Sequence, residues 1–265
     1  MSGVYGVAMV KDEADIIAGT LRHLSDEGLD GIIVADNGST DGTRDILEDL
    51  KDDLTAELII VDDPDPGYYQ SRKVSVLADL ARMRGAKWVI PFDADELWLA
   101  PHRIVDVLEA IPPGYSIAAA QLYNHFPSGI DPTDPDPFRS IQWRQAEPAG
   151  LPKVAFRPAE GAVVHQGNHG VTLNGPARIT VALEVRHFPY RSAEQFVRKA
   201  RNGAAAYAAT DLPEDAGAHW RGYGTILERY GEEALAEVWR EHFWFLAPFE
   251  SGLIHDPAPY LRWRQ

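Results

Sequence analysis

Residues 88–96 read Trp88-Val89-Ile90-Pro91-Phe92-Asp93-Ala94-Asp95-Glu96, a short apolar run that empties directly into three carboxylates. The run has the length of a buried strand, so it predicts a strand whose carboxyl end delivers Asp93, Asp95 and Glu96. Like charges this close repel one another, and a fold that collects them commonly has a divalent cation to neutralise them. A plainer role is also open: Asp95 or Glu96 is placed to cap a helix predicted over 97–108.

Upstream, short apolar runs alternate with amphipathic ones. Val4 to Met9 reads as a first strand, and Ile16, Ile17, Leu21 and Leu24 then recur at helical spacing before Gly28 offers a left-handed stop. Ile32 to Val34 gives a second strand, followed by a helix marked by Ile46, Leu47, Leu50 and Leu54. Leu58 to Val61 gives a third, and the helix of Val74, Leu77, Ala78 and Leu80 ends near Gly85, just before the acidic strand. This is the pattern of β-α-β units around a mostly parallel sheet flanked by helices, an α/β fold. Ligands of such open sheets bind outside the carboxyl ends of the strands. The acidic cluster lies there, and so does the turn Ala35-Asp36-Asn37-Gly38-Ser39-Thr40-Asp41-Gly42-Thr43. Asp41 is placed to cap the next helix, whereas Asp36 comes too early for that and is available to a base or ribose. No dinucleotide fingerprint or P-loop occurs in the chain.

With 265 residues, 45% of them hydrophobic, the chain can bury a full core. No apolar run approaches the roughly 20 residues of a membrane span, and the N-terminus lacks a basic region followed by an apolar stretch, so a cytoplasmic protein without membrane insertion is expected. A net charge of −15 excludes broad phosphate-tracking contact with nucleic acid, which needs a basic face. It does not exclude a small phosphorylated ligand, whose charge one cation and a few local basic residues offset. With no cysteine, carboxylate and imidazole remain as metal ligands, a donor set suited to Mg²⁺ or Mn²⁺.

Lys11-Asp12-Glu13 after the first strand, Asp36 to Thr43 after the second and Phe92-Asp93-Ala94-Asp95-Glu96 after the fourth together resemble the ordered signatures of family 2-like glycosyltransferases with the GT-A fold. The likeness covers about the first 100 residues. The Asp-Ala-Asp-Glu variant is most similar to a branch with a metal-binding histidine toward the C-terminus. The resemblance implies a nucleotide-sugar donor, a UDP-sugar, with its base near Glu13, Asp36 and Asn37 and its ribose near Asp93. It also implies a catalytic cation on Asp95, with Asp93 in the metal shell, bridging the donor's two phosphates and acting as a Lewis acid on the departing diphosphate. Glu96 would orient its neighbours. Lys73, with Gln70 and Arg72, opens a helix where relatives contact the donor.

Farther along, His187 follows a β-like run, 179–185, and precedes a helix opened by Ser192 with Gln195 in the capping-box position. The resemblance makes His187 the third metal ligand. Arg191 and Lys199 are within reach of the diphosphate, or belong to a solvated helix face. Tyr123-Asn124-His125-Phe126-Pro127-Ser128-Gly129 resembles an acceptor loop of the same branch, which puts Asn124 and His125 near the acceptor. His165 and His169 flank Gln166-Gly167-Asn168; the glycines argue for a loop rather than a zinc-binding helix, and His169 is placed near the acceptor or the diphosphate. An inverting transferase needs a carboxylate to take the acceptor's proton. Asp131, Asp134 and Asp136 are the candidates by location, each equally readable as a turn residue, and the Glu-Asp base motif of better-known family members is missing.

The expected organisation is a GT-A domain over 1–210, with a nucleotide-binding half (1–100) and an acceptor half (101–190), and a C-terminal helical extension over 211–265 packed on it. Trp239, Phe243, Trp244 and Phe245 would pack on the domain or form a lid or homodimer contact. The expected activity is metal-dependent glycosyl transfer to an acceptor hydroxyl, with inversion inherited from the resemblance. A sugar-nucleotide nucleotidyltransferase and a catalytically silent nucleotide-binding protein are the alternatives.

Overall fold

The computed structural model describes residues 3–258. In chain order the elements are β1 (Val4–Val10), α1 (Ile17–Asp26), β2 (Gly31–Asp36), α2 (Thr43–Leu50), β3 (Glu57–Asp62), α3 (Gln70–Met83), β4 (Trp88–Pro91), β5 (Glu96–Leu99), α4 (Ile104–Ala110), β6 (Ile117–Phe126), α5 (Pro137–Ser140), β7 (Trp143–Gln145), β8 (Lys153–Phe156) and β9 (Val163–Val164). A 3-10 turn (Gln166–Asn168), β10 (Val171–Thr172), β11 (Ile179–His187), α6 (Ala193–Ala208), α7 (Ala218–His242) and β12 (Leu253–His255) complete the chain.

The first half is a parallel sheet in the order β3-β2-β1-β4. Every residue of β2 and β4 is buried because both faces are covered, which is why these strands read as unbroken apolar runs. Val4, Ala8, Ile32, Val34, Trp88 and Ile90 pack on one face against α1, α2 and α4. Tyr5, Val7, Ile33, Ala35 and Val89 pack on the other against α3. The stop at Gly28 is realised with φ +92°: Gly28 N–H donates to Ser25 O and Leu29 N–H to Leu24 O, the paired bonds of a left-handed helix end.

Beyond β4 the sheet curls and becomes mixed. β8 is antiparallel to β4 and β6, β11 runs parallel to β6, and β5 leaves the line of β4 to pair antiparallel with β11. Residues 97–108 therefore do not form the single helix expected. Glu96, Leu97, Trp98 and Leu99 are all buried and take Glu184 to His187 as partners, a register a helix could not satisfy; α4 starts later, with Glu27 accepting from Ile104 N–H. Glu96 caps nothing: it accepts from Asp93 N–H and from the Trp98 indole.

The extension is not wholly helical. α7 packs on α6 through Leu235, Trp220, Tyr223 and Phe243 around Phe196, and β12 joins the sheet edge beside β7. Trp239 Nε1 donates to Tyr190 O at 3.0 Å. Within α7, Gly231 at φ +81°, ψ −177° breaks the helix into two segments. Residues 259–265 of the expected extension lie outside the described residues. No described helix is long and apolar enough to cross a membrane.

Candidate active site

A cavity of about 570 Å³ opens at the carboxyl ends of β1, β2 and β4. Met9 to Glu13, Asn37 and Tyr68 line one end. Asp93 to Asp95, His187 and Lys199 line the middle, and Leu122, Asn124, Phe126, Leu151, Lys153 and His169 the other end. His219 and Trp220 of α7 reach its rim.

The three carboxylates of the acidic turn have separate surroundings. Asp93 accepts from Gln70 Nε2 and Asn168 Nδ2, both at 3.0 Å, and from Lys153 Nζ at 2.7 Å. Glu96 is fully buried and holds the same lysine at 2.7 Å. Burial raises the Glu96 carboxyl, with Lys153 opposing; burial would lower Lys153, but Asp93 and Glu96 outweigh it and hold the ammonium above its ordinary value. Asp95, also buried, pairs with Lys199 Nζ and has Arg191 Nη1 at 3.6 Å and His187 Nε2 at 3.5 Å. Burial opposes ionisation of Asp95, yet Lys199, His187 and Arg191 together hold it well below the usual carboxylate range. Arg191 also forks onto Asp15 and bonds Glu13 at 2.6 Å. Two buried cations, Lys153 and Arg191, and the partly exposed Lys199 thus balance a carboxylate cluster that could not be buried alone.

Asp95 and His187 fit a divalent cation in their chemistry. His187 Nδ1 meets Asn124 Oδ1 at 2.8 Å, which turns Nε2 toward Asp95, the arrangement that orients a ligating imidazole. The structure does not bring Asp93 into this pair, because Lys153, Gln70 and Asn168 engage its oxygens. Among the described residues no three-ligand cluster of His, Asp or Glu is formed.

Several expected site residues lie elsewhere. Asp36 accepts from Ser39 N–H and has Arg44 at 3.8 Å; it is off the cavity wall, while its neighbour Asn37 is on it. Lys73 binds Asp63 and the Asp65 carbonyl, fixing the loop after β3 rather than facing the cavity. None of the loop aspartates lines the cavity, because each is engaged in local structure. Asp131 accepts from Ser128 and Gln142 N–H, Asp134 from Asp136 N–H, and Asp136 caps α5 through Phe138 N–H. His125 is buried between Ile141 O and Arg186 and stacks on Phe188 at 4.5 Å, so it belongs to the core rather than the acceptor wall. Burial, then Arg186, lowers its pKa to about 3.

The sequence reading passed over Lys153 and took Asp12 only as part of the Lys11-Asp12-Glu13 signature. Lys153 opens the apolar strand β8, and a lone lysine heading such a run was the available signal. Asp12 holds φ +54° and accepts from Thr40 N–H and Asn202 Nδ2, tying the β1 exit to α6. A non-glycine residue in that backbone region stores strain, and it sits on the cavity wall.

The glycosyl transferase family 2 model matches residues 7–166. A search of curated proteins finds no match. Solved structures similar to this chain include S. aureus TarS 1–349 in complex with UDP, 13% identical, covering 87% of this chain and 73% of that one at a TM-score of 0.41. The mannosyltransferase PcManGT from Pyrobaculum calidifontis, in complex with GDP-Man and Mn2+, is 15% identical and covers 89% and 73% at 0.41. Since the family model spans more than half of the chain, the protein belongs to glycosyl transferase family 2: it is a glycosyltransferase, and its curled, mostly parallel sheet is a GT-A fold.

Proposed function

We propose that the protein moves a sugar from a nucleotide-sugar donor, a UDP-sugar, to an acceptor hydroxyl with inversion. The observation that carries this reading is the Asp95–His187 pair at 3.5 Å in the middle of the cavity, between the β1 and β2 exits and the β6 wall. In this reading residues 1–210 are the catalytic domain, with a nucleotide half over 1–100 and an acceptor half over 101–190, and 211–265 pack on it. Mn²⁺ or Mg²⁺ held by Asp95 and His187 would supply Lewis-acid stabilisation to the departing diphosphate.

The chain's own residues do the rest. Glu13, Asp12 and Asn37 line the nucleoside end. Lys199 and Arg191, counter-ions of Asp95 here, lie where their charge also serves the diphosphate oxygens. Asp93, fixed by Lys153, Gln70 and Asn168, forms a rigid part of the wall beside the ribose position. Asn124 keeps the His187 ring in place. Tyr68, whose phenol burial and the nearby Asp93 push far up, stays a neutral donor on the same wall.

Calorimetry with UDP, with and without Mn²⁺, on wild type and Asp95→Ala is the test. Wild type is expected to bind UDP more tightly with Mn²⁺, and the variant to lose that dependence while its circular dichroism is unchanged. A variant whose UDP binding still responds fully to Mn²⁺ would refute the assignment.

A further inference from the structure

We propose that His169 is the general base of the transfer reaction, its Nε2 accepting the proton of the acceptor hydroxyl. The inference rests on the glycosyl-transfer reading above.

Among the described residues four carboxylates line the cavity, and the oxygens of each are already engaged. Asp12 accepts from Thr40 N–H and Asn202, and Glu13 faces Arg191 and Lys199. Asp93 is held by Lys153, Gln70 and Asn168, and Asp95 by Lys199, Arg191 and His187. Of the cavity imidazoles, His187 turns its Nε2 to Asp95, and His219, from α7 at the rim, lies tilted 47° against Trp220 with centroids 4.6 Å apart. His169 differs from all of these. Its Nδ1 lies 3.0 Å from the Pro152 carbonyl, which can only accept, so Nδ1 carries the proton and Nε2 keeps a lone pair. Among the described residues no hydrogen bond engages Nε2.

The turn that presents the ring is built for it. Gly167 has φ +76°, and a Cβ there would stand 2.5 Å from His169 Cδ2 and 2.8 Å from Nε2, so a side chain at 167 would displace the imidazole. Asn168 follows at φ +58°, buried, with Nδ2 on Asp93 and Oδ1 without a hydrogen-bond partner among the described residues. Consecutive left-handed residues cost conformational energy, and here that strain sets a ring against the β8 end of the cavity. Burial, then the Lys153 ammonium, keeps His169 below its ordinary pKa, consistent with an unprotonated ring at neutral pH.

In the step, the acceptor O–H proton passes to Nε2 as the oxygen lone pair forms the new bond to the anomeric carbon. The bond from that carbon to the phosphate oxygen breaks, and its electron pair leaves with the nucleoside diphosphate. The imidazolium then returns its proton to water.

The test uses the full chain with Mn²⁺ and UDP-glucose, UDP-N-acetylglucosamine or GDP-mannose, with water and then glycerol as acceptor. Diphosphate release gives turnover, and UDP calorimetry reports the donor site separately. His169→Ala and His169→Asn, the latter keeping an N–H for Pro152 O, should release diphosphate roughly 10²–10⁴-fold more slowly with UDP affinity within about twofold of wild type. Added imidazole should restore part of the rate to His169→Ala. Wild-type turnover in either variant with UDP binding intact overturns the base while leaving the donor reading standing. A loss that imidazole does not restore and that tracks a fall in Tm marks a structural role and overturns it too. Wild type that binds UDP but releases no diphosphate to water or glycerol counts against a pre-set base, and wild type that binds no UDP removes both readings.

Discussion

The two halves of the sheet bring opposite charge to one cavity. Residues 3–100 contribute Asp12, Glu13, Asp93 and Asp95 to its wall and Glu96 beneath it; residues 101–258 contribute Lys153, Arg198 and Lys199, with Arg191 buried behind. No acid from the second half lines the cavity among the described residues, and Lys11, the one cation there from the first half, is turned to the Asn37 and Gly38 carbonyls. The acids end parallel strands whose apolar runs bury both faces, whereas the cations come from a mixed sheet, the approach to α6 and its second turn. Neither half is electrostatically complete, so the ion pairs between them hold the halves in register as well as shaping the site.

The sharpest way to break this complementarity is Lys153→Met. It leaves Asp93 and buried Glu96 without their shared counter-ion and should lower unfolding free energy by about 3–5 kcal/mol in urea titrations. A loss under about 1 kcal/mol would mean the pairing is no stronger than a surface salt bridge. Glu96→Gln added to that variant should recover part of the loss.

Asn124→Ala releases the His187 ring without touching either charge set, and should weaken Mn²⁺ affinity by about 10–100-fold in the presence of UDP. Unchanged affinity would show that the ring needs no such support.

His125 sharpens the comparison from the second half, where it is buried neutral beside Arg186. At pH above its ordinary value of 6.5 the ring is neutral in folded and unfolded chains alike. Below that value the unfolded chain binds a proton that the folded one refuses, and stability falls by about 1.4 kcal/mol per pH unit until the folded value near 3. Between pH 7 and pH 5 this amounts to about 2 kcal/mol. His125→Phe should start less stable, since Ile141 O loses its partner, and lose less over that interval. Parallel pH–stability curves for the two proteins would count against the buried neutral ring.

Asp131→Asn should have the smallest effect, about 1 kcal/mol of stability with turnover unchanged, because its carboxylate joins Ser128 to Gln142 outside the cavity. A large fall in turnover at constant stability would reinstate it as the base.

The same division explains what the chain discloses before it folds. The β1 to β4 units and the acidic turn are legible because a doubly covered parallel strand must be apolar and must end at the ligand side. His187, read as following a β-like run, ends β11 with its Nε2 toward Asp95, and Lys199 and Arg191 reach that same carboxylate. Orientation is what stays hidden. Asp36 and Lys73 sit in the right elements but turn to Ser39 N–H and Asp63, and β5 masquerades as helix because its partner β11 lies some ninety residues later. Prolines around Asp131 to Asp136 announce a loop without saying which way its carboxylates face. A lone lysine heading β8 and a histidine beside Gly167 hint at Lys153 and His169, but their contacts with the Gly167 and Pro152 carbonyls and with Asp93 are made by the fold and not by local spacing.

The break at Gly231 has a mechanical consequence. Trp239, on the later segment of α7, is anchored to the Tyr190 carbonyl, while His219 and Trp220 stand at the cavity rim on the earlier one. Because the helix is broken at Gly231, the direction of the rim segment follows from that glycine and from the packing of Trp220 and Tyr223 around Phe196, independently of the anchor at Trp239.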